Sequence, residues 1–131
     1  MYGENYTRVI QEWCAATGMA ALADQDDKHV EIDDAVVALV PGGNDSPDTL
    51  HILIDLGHYD FSDLQRCLLE HNVALNSPGY GCFGLHPITG SVVYRVMLNL
   101  ANDTDGFLLP HYISQLIHNA RSLLATSLIL Y

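Results

Sequence analysis

Positive charge is scarce in this chain: five lysines and arginines stand against sixteen aspartates and glutamates, a formal charge of −11 over 131 residues. Such a surface is repelled by nucleic acid, whose binding runs on cationic contacts to phosphate, and by the anionic face of a membrane. Cysteine is scarce as well. Cys14, Cys67 and Cys82 are odd in number and far apart, which fits reduced thiols rather than a disulfide framework. No apolar run approaches the roughly 20 residues needed to cross a bilayer. The first residues, Met1 to Asn5, carry neither the basic nor the apolar region of a secretory leader. The expectation is a cytoplasmic protein with no nucleic-acid partner and no membrane insertion.

Constellations that carry chemistry are equally thin. Cys67 and His71 lie one helical turn apart and could form a thiol nucleophile with its base, the mark of a small α+β enzyme or ligand-binding protein. No orienting group or oxyanion site accompanies them, so the plainer reading puts Cys67 in a leucine stripe and His71 at its edge. Cys82 and His86 have loose metal-ligand spacing, without a Cys-x-x-Cys pair or a second cluster; His111 and His118 are too far apart to chelate alone. Asp24, Asp26 and Asp27 start like a calcium loop, which then fails at Lys28, His29 and Ala35. Gly79, Gly81 and Gly84 are followed by no Lys-Ser/Thr, so they make no phosphate loop; glycines so placed permit close backbone approach or a bulge. No catalytic residue, metal or cofactor is expected.

What the chain does have is apolar residues, 49% of the total and spread along its length. That is enough for one domain over residues 1–131 that buries about two-thirds of its unfolded surface. Tyr6, Val9, Ile10, Trp13 and Cys14 keep helical spacing from Glu4 to about Thr17, with Gly18 as the stop. After a polar turn at Asp24–Lys28, Val30 and Ile32 alternate with polar neighbours. A two-residue acidic link, Asp33-Asp34, leads into Ala35–Val40, and the turn-rich Pro41–Asp48 loop into a strand with Leu50, Ile52, Ile54 and Leu56 on one face. Ser62-Asp63-Leu64-Gln65 has capping-box form and opens a helix that carries Leu64, Cys67 and Leu68, ending before the Asn76-Ser77-Pro78-Gly79 breaker. A final helix starts between Asp105 and Pro110.

Between those helices lies the most distinctive stretch, Gly79 to Leu98, a glycine-spaced strand, a Pro-to-Gly turn and a long strand apolar on much of both faces. A strand of that kind meets something on each side. Phe83, Leu85, Tyr94 and Val96 are expected to face the core; Cys82, Val93 and Met97 lie on the other parity, which is left for a dimer or a partner groove. The fold class is therefore α+β, an antiparallel sheet in the order α-β-β-β-α-β-β-α.

Leu68-Leu69-Glu70-His71-Asn72, followed by Gly84-Leu85-His86-Pro87-Ile88-Thr89-Gly90-Ser91-Val92-Val93-Tyr94, resembles the Tir chaperone family, the class I chaperones of bacterial type III secretion. The long final helix with Leu109, Leu116 and Leu123 and the acidic composition are similar too. The resemblance implies a bacterial cytoplasmic homodimer that binds the N-terminal chaperone-binding segment of an effector and keeps it export-competent without ATP. It implies a dimer interface at Leu64, Leu68, His71, Cys82, Val93 and Met97, and effector-binding positions at Tyr6, Val9, Ile10, Trp13, Val37, Leu39 and Leu53. A charge at Val93 or Leu68 is then expected to split the dimer. Two features depart from the family: the long Pro41–Asp48 loop and the apolar Leu128-Ile129-Leu130-Tyr131 end, which replaces a short acidic tail.

Overall fold

The structure, a computed structural model, describes residues 3–18, 28–43, 45–59, 62–74 and 81–130, with side chains in the last helix as far as residue 125. The turn at 24–27, the breaker at 76–79 and the apolar side chains at 128–131 lie outside the described residues. The elements follow the expected order: α1 (Glu4–Thr17), β1 (Lys28–Ile32), β2 (Ala35–Pro41), β3 (Thr49–Gly57), α2 (Leu64–Ala74), β4 (Cys82–Leu85), β5 (Val92–Asn99) and α3 (Leu109–Leu130).

All five strands form one antiparallel sheet in the order β1-β2-β3-β5-β4. Its register follows from local chemistry. Asp33 and Asp34 both adopt the left-handed conformation, φ 50° and 63°, which a two-residue hairpin with the twist of its strands requires. Gly57, at φ 89°, absorbs a register shift between β3 and β5, and its N–H donates to Asp55 Oδ1 at 2.9 Å. Gly81 brings the start of β4 against β5, where a Cβ would collide with the Arg95 carbonyl oxygen.

One face of the sheet is covered by α1 and α3. Val37, Leu39, Leu50, Ile52, Ile54, Val92, Tyr94 and Val96 join Tyr6, Val9, Ile10 and Trp13 of α1 and Ile113, Ile117 and Leu124 of α3 in one cluster. Each fully buried large side chain contributes about 1.5–3 kcal/mol. The Trp13 indole N–H has no hydrogen-bond partner among the described residues, so Trp13 is held there by packing. The Pro41–Asp48 loop seats α1: the Pro47 carbonyl accepts the Gly3 N–H at 2.9 Å, and Asp48 Oδ1 accepts the Tyr6 N–H at 3.3 Å. Glu12 Oε1 takes the Arg8 guanidinium at 2.7 Å and the Gly106 N–H at 3.1 Å, tying α1 to the approach to α3.

Three expectations are corrected by this packing. The second helix opens at Leu64, with the Cys67 N–H donating to the Asp63 carbonyl at 2.9 Å, so Asp63 rather than Ser62 stands at its cap. Leu85 is not core, because it lies on the outermost strand beside the turn and stays 38% exposed. The third concerns the surface assigned to a partner, described next.

Candidate binding surface

Strand alternation decides which side chains the helices leave uncovered. With Val37 and Leu39 inward, the neighbouring positions Val36, Ala38 and Val40 fall on the opposite face. Cross-strand pairing places Ala38 beside Leu53, and Leu53 beside Arg95. Val93, Met97 and Cys82 share this face, which no helix covers among the described residues. Val36 is 49% exposed and Met97 57%.

This face carries two adjoining hollows. One, of about 340 Å³, is lined by His29, Val36, Ala38, Val40, Leu53, Asp55, His86 and Val93. The other, of about 330 Å³, runs past Leu53, Val93, Cys82, Leu85, His86, Pro87 and Arg95. Leu53, His86 and Val93 belong to both, so the hollows form one shallow apolar groove. Its shape is set by the β4–β5 turn. His86 Nδ1 accepts the N–H groups of Ile88 and Thr89 at 3.1 and 3.2 Å, which folds the turn and places the neutral ring's proton on Nε2. Asp55 Oδ2 accepts the Ser91 hydroxyl at 3.2 Å, anchoring the same turn to β3. On the groove's flank the Arg95 guanidinium donates to His51 Nδ1 at 3.2 Å; burial, and then the Arg95 charge, hold His51 below the ordinary imidazole range.

The expected site residues divide sharply. Tyr6, Val9, Ile10, Trp13, Val37 and Leu39, read as effector-binding, are at most 3% exposed and pack under the sheet. They are corrected from surface to core, because their apolar face is already matched by the sheet and α3. Leu53, the seventh, lies on the open groove. Among the positions read as dimer contacts, Leu68 is also core, at 4% exposure, so a charge there would unfold the chain rather than report on an interface. Leu64 is half-buried against the core, His71 rests on the Phe83 ring at 5.9 Å, and Cys82, Val93 and Met97 stand on the open face. The alternative nucleophile, Cys67, is 1% exposed and lines neither hollow. Val36, Ala38, Val40 and His86 line the groove, although the sequence assigned them to no binding surface. The available signal was a second strand apolar on both parities, the property noticed only in β5.

Among the described residues, no three His, Cys, Asp or Glu side chains gather to hold a metal, and no helix is long and apolar enough to cross a membrane. No protein-family model and no curated protein matches the sequence. The class is defined by architecture: an acidic chain whose described residues form three helices and a five-stranded antiparallel sheet, with one sheet face that none of those helices covers, has the fold of the type III secretion chaperones. Similar solved structures include the Yersinia pestis type III secretion chaperone SycH, in complex with a stable fragment of YscM2. The two are 24% identical, with a TM-score of 0.64 over 90% of this chain and 98% of that one. A chain of the ExsC–ExsE complex is 19% identical at a TM-score of 0.69, over 87% and 86%. One from the HopA1–SchA chaperone–effector complex is 16% identical at 0.67, over 91% and 92%. At these identities the likeness is one of fold.

Proposed function

We propose that this chain is a type III secretion chaperone, a single-domain bacterial cytoplasmic homodimer that holds an effector's N-terminal segment in extended form. The observation that carries this reading is the bare apolar sheet face, on a fold whose solved relatives were captured with other polypeptides. An extended segment gains backbone hydrogen bonds at a free sheet edge while its side chains fill apolar pockets. The groove suits that role better than catalysis. It is shallow and apolar, and Cys67, the candidate nucleophile, is buried away from it. No ATP-dependent step is needed to hold a segment this way.

In this reading self-association uses the outer side of α2, where Leu69 and Val73 are 66% and 79% exposed, together with His71, Cys82 and Met97. Leu53 and its neighbours Val36, Ala38 and Val40 take the client. The test is purification from the native cytosol of wild type and of Leu53→Asp, with light scattering and mass spectrometry on each. Wild type is expected as a dimer carrying a protein whose N-terminal region resists protease; Leu53→Asp keeps the dimer and loses the client. A monomeric, client-free wild type refutes the proposal.

A further inference from the structure

A sheet of five strands has two edges, and here they are treated differently. At β4 the Asn72 side chain, on the last turn of α2, lies alongside the strand. Its Oδ1 accepts the Phe83 N–H at 2.6 Å and its Nδ2 donates to the Phe83 carbonyl at 2.9 Å. A primary amide offering one acceptor and one donor satisfies Phe83 as a neighbouring strand would. The alternation of an antiparallel pair shows how much of the edge that fills. The His86 N–H donates inward to the Ser91 carbonyl, so residues 82, 84 and 86 bond β5, while Phe83 and Leu85 turn their backbone groups outward. With Phe83 filled, Leu85 alone is left on this four-residue strand, too little for a ladder.

At β1 the count is different. The two-residue turn makes Ile32 and Ala35 a bonded pair, so Val30 also bonds β2, and His29 and Glu31 turn outward. Among the described residues neither backbone has a partner on that side. The side chains of Glu31, Asp33 and Asp34 beside them are exposed, which disfavours a second copy of this acidic chain and tolerates a neutral or basic strand.

We propose that Asn72 closes the β4 edge against strand pairing, so that a partner strand can join this sheet only at β1. The closure is independent of the chaperone reading; the identity of the partner strand as a client segment rests on it. It also means that two copies meeting at α2 and β4 do so through side chains rather than as a continuous sheet.

The decisive variants are Asn72→Ala and Asn72→Ala/Leu85→Pro, followed by light scattering across a wide range of concentration. Asn72→Ala is expected to form assemblies of roughly twofold or greater mass that grow with concentration, as an uncovered edge does. Proline at 85 removes an outward N–H and no β4–β5 bond, so it restores the wild-type mass; a merely destabilised protein would not be rescued by it. A wild-type mass for Asn72→Ala, or assembly that persists with proline, overturns the proposal. Should Asn72→Ala not fold, amide exchange on the wild type decides: the Phe83 amide is expected to exchange at least about tenfold more slowly than those of Leu85, His29 and Glu31, and equal rates overturn the closure. For the β1 side, Glu31→Pro should abolish retention of a co-purifying partner while Glu31→Gln, which keeps the outward N–H, retains it; retention by Glu31→Pro, or loss in both, overturns it. A wild type with no partner at all sinks the chaperone reading and leaves the Asn72 result standing.

Discussion

His51 and Arg95 place a hydrogen-bond acceptor and a fixed cation 3.2 Å apart on the flank of the groove. Burial is the larger cause of the lowered His51 pKa and the Arg95 charge the smaller. The unfolded chain therefore takes up the proton first, near the usual value of about 6.5. This contribution to stability is complete above that pH and is lost as pH falls through it toward the lower folded value. A nuclear magnetic resonance titration should give His51 a midpoint below 6.5, moving up only part of the way in Arg95→Gln, because burial remains. A midpoint at or above the ordinary value would refute the arrangement. Single residues were also where sequence reasoning was weakest. Trp13 on an amphipathic stripe reads the same whether the stripe meets its own sheet or a partner, and its burial depends on α3, about a hundred residues away in the chain. Asn72 carried no signal of its role, because the strand it plugs is brought to it only by the fold.

Elements were far more legible than residues. Patterning placed the eight described elements, and turn residues such as Gly18 and Asp33-Asp34 bounded some of them. What periodicity could not decide was parity in β2, where Val36, Ala38 and Val40 are as apolar as Val37 and Leu39. A shift of one residue exchanges the two faces of a strand. Leu53 opposite Ala38 settles it, since Val37 and Leu39 then share the other face with Ile52 and Ile54. The β1–β2 hairpin supplies its own prediction. Asp33 and Asp34 are adjacent like charges in a conformation that Asn-Gly adopts at lower cost. Asp33→Asn with Asp34→Gly should stabilise the protein by roughly 0.5–1 kcal/mol, read as a higher urea midpoint at unchanged slope. The bond from Arg121 Nη1 to the Asp33 carbonyl, 2.6 Å, uses the backbone and survives the change.

At the scale of the whole molecule, charge is the governing quantity. Against −11 formal charges, the ion pairs among the described residues are three, all local and all on α1 or around α2. Exposed pairs of this sort contribute at most about 1 kcal/mol each, so net repulsion goes largely uncompensated. Raising ionic strength shortens its range from about 30 Å at 0.01 M to about 8 Å at 0.15 M. The melting temperature should rise over that interval, by roughly 3–5 °C for each kcal/mol of repulsion screened; a melting temperature that falls with salt would contradict this account. One carboxylate is set apart from this crowd. Asp55 accepts the N–H of Gly57 with one oxygen and the hydroxyl of Ser91 with the other, stapling the irregular end of β3 to the turn that carries His86. The contour of the groove and its greasiness are thereby under separate control. Its walls belong to valines and leucines, but the turn that bounds it hangs from the polar pegs Asp55, His58 and His86, so its contour can change while every apolar contact stays in place.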